Sequence, residues 1–233
     1  LKGAATSAVQ AARMQATASK AAPTFVTPQP PAGILGAGAA SAASIAASAN
    51  TLSELEDALK NFDGGHLKRS AKNTVFATGP DDAPILMVGE APGADEDRLG
   101  EPFVGVSGQL LDKMLAAANL SRTKNVRITN LVPWRPLGNK APYVATQEMC
   151  LPFLRRHIAL CQPKIIISLG ATPTRALLGV QDGISRLRGR WKTLDLDGKS
   201  YPLMPLYHPS YLLRQPAMKR YAWQDLLSAL ERL

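Results

Sequence analysis

Four short runs, at residues 85–88, 126–132, 165–169 and 203–207, are apolar at almost every position. Between them lie stretches whose apolar residues recur at helical spacing, at 109–118, 147–160 and 173–178. A strand with one face in water alternates apolar and polar residues, whereas these runs ask for cover on both faces. Strands alternating with helices build a mostly parallel sheet. The expected fold is therefore a three-layer α/β/α domain with a central four-stranded parallel sheet. An amphipathic helix precedes it, with Leu52, Leu55, Leu59 and Phe62 on one face, Thr51 or Ser53 as cap, and Asp63-Gly64-Gly65 as its end. A last helix is expected over residues 219–230.

The first 50 residues read differently. They hold 18 alanines among Ser, Thr, Gly and Pro, with Pro28-Gln29-Pro30-Pro31 in the middle. Alanine buries too little surface to offset the entropy of ordering the chain. Residues 1–50 are read as a disordered low-complexity tail, with room for local helix at 4–18, and residues 51–233 as the folded domain.

No apolar stretch approaches the roughly 18 residues of a membrane span, and no basic-then-apolar leader opens the sequence. Cys150 and Cys161 are the only cysteines. Two isolated thiols make no disulfide framework, so a reducing, cytoplasmic setting is expected. The net charge of +9 is uneven. Residues 51–120 carry 12 acidic and 6 basic side chains, and residues 121–233 carry 18 basic and 6 acidic ones. A basic half beside an acidic segment fits a polyanionic partner gripped around a chemically distinct pocket. A merely solvated basic surface fits the charge equally well.

The sequence is most unusual just after each strand. The first runs into GEAPGADEDRLGEPFVGVSG at residues 89–108, a glycine-rich, acidic loop with an aromatic residue. The second ends in Thr129-Asn130, followed by Leu131-Val132-Pro133-Trp134-Arg135-Pro136. The third ends in Gly170-Ala171-Thr172-Pro173, and the fourth in His208-Pro209-Ser210-Tyr211-Leu212-Leu213-Arg214. In a parallel sheet all four ends lie on one edge, where open α/β sheets hold their ligands. Carboxylates, an Asn, an aromatic ring and a His are thereby expected in one crevice.

These four blocks, GEAPGADEDRLGEPFVGVSGQLLD, ITN-x-x-P-W-R-P-x-G-N-K, ISLGATPTRALLG and YHPSYLLRQP, resemble the family 4 branch of the uracil-DNA glycosylase superfamily, in order and in spacing. The resemblance runs from about Asn73 to the C-terminus. It implies a monofunctional glycosylase that flips uracil out of DNA and hydrolyses its bond to the sugar, starting base-excision repair. It implies that His208 donates a hydrogen bond to O2 of the leaving base. Asn130 would read the N3–H and O4 edge, and Phe103, with Gly89 in the same pocket, would stack the ring. Glu90 and Glu96 match acidic positions, one orienting water and one crowding the C5 edge to exclude thymine; which does which stays open. Ser210, Leu212, Leu213 and Arg214 resemble the loop that enters the minor groove and fills the gap left by the flipped base. Arg186, Arg188, Arg190, Lys192, Lys219 and Arg220 are candidate phosphate contacts as a group. His66 and His157 receive no role. No lysine stands out as a Schiff-base nucleophile.

The pattern departs from the family in one respect. The resemblance implies four cysteines holding an iron–sulfur cluster, two upstream of the first strand, one after the second and one on the following helix. Here Cys150 matches the last, Trp134 stands at the third, and residues 62–68 contain no cysteine. One thiolate cannot do the work of four, so no cluster is expected and Trp134 is expected to pack in its place. No basic, His-containing insertion follows Asn130, so ordinary turnover, without covalent capture of the DNA, is expected. The alternative to an enzyme is a non-catalytic module that binds damaged or single-stranded DNA on the same fold. A phosphate-binding nucleotide enzyme is disfavoured, because neither a P-loop Gly-Lys-Ser/Thr nor a GxGxxG follows the strand. A monomer with uracil-containing DNA as its partner is the expectation.

Overall fold

The computed structural model describes residues 35–233, so the readings for residues 1–34, including helix at 4–18, lie outside the described residues. Three helices come first: α1 (Leu35–Ser48), α2 (Leu52–Asn61) and α3 (Gly65–Ser70). Then follow β1 (Ala77–Thr78), β2 (Ile85–Gly89), α4 (Ala94–Leu99), α5 (Val106–Ala117), β3 (Val126–Asn130), α6 (Val144–Cys161), β4 (Ile165–Leu169) and α7 (Ala171–Leu178). The chain continues through α8 (Ile184–Leu187), β5 (Lys192–Leu196), β6 (Lys199–Leu206), α9 (Pro209–Arg214) and α10 (Lys219–Leu230).

The four expected strands form the parallel centre of a six-stranded sheet of order β1-β3-β2-β4-β6-β5. Two antiparallel edge strands flank it. The edge strand β5 alternates buried Leu194 and Leu196 with exposed Thr193 and Asp195. It turns into β6 through Asp197 and Gly198, both at positive φ, the backbone that a two-residue hairpin turn demands.

Both faces of the centre are covered, as the continuous apolar runs require. Leu86, Val88, Ile166 and Leu203 face one apolar cluster with Leu55, Phe153 and Ile158. Ile85, Met87, Ile165, Ile167 and Met204 face the other, with Leu111 and Leu115 of α5 and Leu226 of α10. On α2, Thr51 Oγ1 accepts the Glu54 N–H at 3.1 Å, settling which residue caps that helix.

The reading of residues 1–50 as tail needs correction at its end, because residues 35–48 are helical. Ala42, Ala46 and Ala49 are buried in the cluster on the α6 side, and Arg156 of α6 donates to the Ala49 carbonyl at 2.8 Å. Alanines four apart make a smooth helical face that another helix can approach closely. Little area is buried per residue, but the contact is tight.

Trp134 fills the volume between the helices and the sheet. Its ring is fully buried, its Nε1 donates to Thr74 Oγ1 at 3.0 Å, and Lys68 Nζ stands 6.0 Å from the ring centroid. Gly64 lies against it so closely that a Cβ there would come within 2.6 Å of the ring. Cys150 is buried in the same apolar cluster, and burial pushes its thiol pKa far above the ordinary value, away from the thiolate a metal would need. These residues do not fit a four-cysteine cluster. Truncation of Trp134 to Ala is expected to lower unfolding free energy by about 3–5 kcal/mol. A loss below about 1 kcal/mol in urea titration would show that the ring is not a structural keystone.

Candidate functional site

The chain runs from β2 to β3 on one side, then crosses back over β2 to β4 on the other. That reversal opens a crevice at the carboxyl ends of the strands. A cleft of about 480 Å³ occupies it, within the range that takes a small ligand. Its walls include Glu90 after β2, Asn130 at the end of β3, Gly170 after β4 and His208 after β6. All four strand ends therefore contribute, as their sequences suggest.

Gly89 and Asn130 are direct neighbours in the β2–β3 ladder. A Cβ on Gly89 would run into the Asn130 amide oxygen and come within 2.6 Å of the Phe103 ring. Glycine is needed here so that the amide and the ring can meet over the strand end. Phe103 is buried at φ +55°, a left-handed conformation costly for a bulky residue. Arg122 holds it there by donating to the carbonyls of Pro102 and Phe103 at 2.9 and 2.7 Å, while its Nε donates to Asp112 at 2.8 Å. The Asn130 Oδ1 is buried without a hydrogen-bond partner among the described residues. An orphaned buried acceptor costs about 1–3 kcal/mol, which a donor on a ligand would recover.

The two glutamates are placed very differently. Glu96 is 7 % exposed. Its Oε2 accepts the Gly93 N–H at 3.0 Å, and its Oε1 accepts those of Val104 and Gly105 at 3.1 and 2.9 Å. Both oxygens are thus engaged in tying together the two limbs of the loop that carries Phe103. Asp97 does similar work, accepting the Lys72 and Asn73 N–H groups at 2.8 and 3.2 Å. Glu90 lines the cleft half-buried, and its carboxylate has no hydrogen-bond partner among the described residues.

His208 caps α9. Its Nδ1 accepts the Ser210 N–H at 3.1 Å and lies 2.8 Å from Ser210 Oγ. A nitrogen that accepts an N–H carries no proton, so the neutral ring holds its proton on Nε2. The residue lines the cleft, its ring 5.5 Å between centroids from that of Phe103. Burial, reinforced by the positive charge of Arg214, pulls its pKa from 6.5 down to about 4. The imidazole is therefore a neutral donor near pH 7.

Leu212 and Leu213 part company. Leu212 is fully buried with Tyr207 and Ala222, so it cannot serve as a wedge, whereas Leu213 is 39 % exposed beside Arg214. Adjacent helical residues point about 100° apart, which lets Leu212 face the core while Leu213 faces outward. Arg188 also leaves the group of free cations: its Nε donates to Asp225 at 2.7 Å, and its guanidinium lies over Tyr207 and Tyr221. His157 is buried on α6, accepts from Arg127 Nε at 2.8 Å, and is held neutral by burial, with a pKa of about 3. Sequence reasoning gave no part to Arg122, or to Pro136, Asn139 and Lys140 on the cleft wall. The block P-W-R-P-x-G-N-K pointed to the last three without saying what they do.

The profile described as the Uracil DNA glycosylase superfamily matches residues 76–227. The type-4 uracil-DNA glycosylase of Pyrobaculum aerophilum is 36% identical over 179 residues, covering 75% of this chain and 91% of its own length. That of Thermotoga maritima is 37% identical over 170 residues, 70% of this chain and 84% of its own. That of Archaeoglobus fulgidus is 36% identical over 157 residues, 66% and 78% respectively. Among the described residues no helix is long and apolar enough to cross a membrane.

Proposed function

We propose that this chain, which belongs to the uracil DNA glycosylase superfamily, removes uracil from DNA by hydrolysing the bond between base and deoxyribose. It would do so as a monofunctional enzyme that opens base-excision repair. The observation that carries the reading is the unpartnered Oδ1 of Asn130, buried at the floor of a cleft that also holds His208. Uracil offers N3–H to that oxygen and O4 to the amide nitrogen; cytosine reverses the pattern.

The flipped base stacks on Phe103, and its O2 meets the Nε2–H of neutral His208. As the glycosidic bond breaks, the electron pair goes to the base, negative charge gathers on O2, and the fixed donor stabilises it. The sugar becomes oxocarbenium-like. Glu90, the glutamate with free oxygens, orients the water that adds to C1′ and receives its proton. Glu96 acts through the loop, holding Phe103 in place. Leu213 and Arg214 occupy the space the nucleotide leaves in the duplex.

The test is release of free uracil from a uracil-containing duplex, with alkali-labile abasic sites as the second readout. Uracil release at a one-to-one ratio with abasic sites is expected. Tight binding of the duplex without release would replace the enzyme by a non-catalytic binding module.

A further inference from the structure

Arg188, just past α8, is tied to both β6 and α10. Its Nε donates to Asp225 Oδ2 at 2.7 Å, and its Nη2 pairs with Asp225 Oδ1 and donates to the Tyr221 carbonyl at 3.1 Å. The guanidinium carbon stands 5.5 Å from the Tyr207 ring centroid and 5.1 Å from that of Tyr221, close enough for cation–π attraction. The next residue, Gly189, takes φ +66°, and its N–H donates to the Pro205 carbonyl of β6 at 3.0 Å. A Cβ there would run into the Asp225 carboxylate. Glycine lets the backbone and the ion pair close on each other.

The side chain of Asp225 is 6 % exposed and that of Arg188 19 %, yet neither residue lines the cleft. An ion pair this deep is a poor source of stability, because desolvation offsets most of its attraction. What a two-point Arg–carboxylate pair supplies is a fixed direction. Here the guanidinium is fixed over Tyr207. That ring is buried and packs on Tyr211, with 5.0 Å between centroids. Tyr207 is the residue before His208, and Tyr211 lines the cleft and donates its N–H to the His208 carbonyl at 2.9 Å. The backbone of His208 is thus held through two tyrosines, one of which Arg188 pins.

We infer that Arg188 is a positioning residue for His208: with Asp225 it clamps Tyr207 and so keeps the imidazole where it meets the leaving base. The inference rests on the glycosylase reading of the cleft. A misplacement on the order of 1 Å can cost about 10²-fold in rate, so a clamp behind the donor governs turnover without touching substrate.

Single-turnover rates of uracil release, with enzyme in saturating excess, test it, because such a rate constant does not follow the folded fraction of a variant. Arg188→Lys keeps the charge but loses the planar fork, and it is expected to slow release roughly tenfold. The double variant Arg188→Met/Asp225→Asn, which leaves no buried charge unpartnered, should be slowed at least as much. Affinity for a duplex carrying a tetrahydrofuran abasic analogue should stay within about twofold of wild type in both; a loss of about tenfold there would make Arg188 a DNA contact and overturn the inference. In a His208→Asn background, Arg188→Lys should cost less than about twofold, because the group it positions is gone. An undiminished loss in that background, or a wild-type rate in Arg188→Lys alone, overturns the inference and leaves the glycosylase reading standing. If wild type releases no uracil, or His208→Asn releases it at the wild-type rate, the reading of the site falls and takes the inference with it.

Discussion

Substitution of His208 by Asn is expected to slow uracil release by about 10²–10³-fold, the cost of removing one donor aimed at developing negative charge. Asn is chosen because His208 has two jobs. Its Nδ1 caps α9 by accepting the Ser210 N–H, and its Nε2, on a residue that lines the cleft, has no hydrogen-bond partner among the described residues. Asn is a good N-cap and keeps an acceptor near the first position, but it cannot reach the second. The variant should therefore fold and bind DNA while failing to turn over; His208→Ala adds loss of the cap, about 1 kcal/mol. The pH profile gives a second check. With a folded pKa of about 4, the ring stays neutral across the working range, so its contribution to the rate should not titrate near 6.5. A rate that climbs on acidification through pH 6.5 would mean that an imidazolium does the work.

Stability should respond to acid in the direction these lowered values dictate. In the unfolded chain His157 and His208 take up protons near pH 6.5; in the folded chain they do so only at about 3 and about 4. Below 6.5 the unfolded state binds more protons, so stability falls as pH drops from 6.5 towards those values and is fully present above 6.5. Urea midpoints measured in that window should show a shallower fall in His208→Asn. An identical slope would mean that His208 is not buried neutral in the folded protein.

What could be read from the sequence divides along physical lines. The parallel centre was legible because strands covered on both faces must be apolar throughout, and nothing else in the chain has that pattern. The edge strand β5 was not, although Asp197-Gly198 is a strong hairpin turn, because its apolar residues are only two and alternate with polar ones. Helix α1 was hidden by alanine, which scores as tail when judged by area but packs as core when spaced four apart. At the site, Asn130 and His208 were visible as polar residues where buried strands end. The different placements of Glu90 and Glu96 were not, because no local pattern tells that three backbone N–H groups converge on one carboxylate. The inward turn of Leu212 depended on a helix phase that two adjacent leucines do not reveal.

Asn130→Asp separates reading the base from merely filling the floor of the cleft. The shapes are nearly the same, so packing against Gly89 and Phe103 is retained. What changes is hydrogen bonding: an ionised carboxylate accepts twice and donates nothing, so it meets uracil N3–H but opposes O4. Uracil release should fall about 10²-fold, since a site built for a polar edge discriminates strongly once that edge is mismatched. The buried position also disfavours a charge, so part of the variant population will be protonated. A carboxylic acid has one donor and one acceptor that can exchange places, which suits cytosine as well as uracil. The ratio of uracil to cytosine release should therefore drop, and cytosine release, where detectable, should increase as pH falls. Measuring both bases across pH on matched duplexes decides the matter. An unchanged uracil-to-cytosine ratio would place base recognition elsewhere in the cleft and leave the Asn130 oxygen without the partner its burial demands.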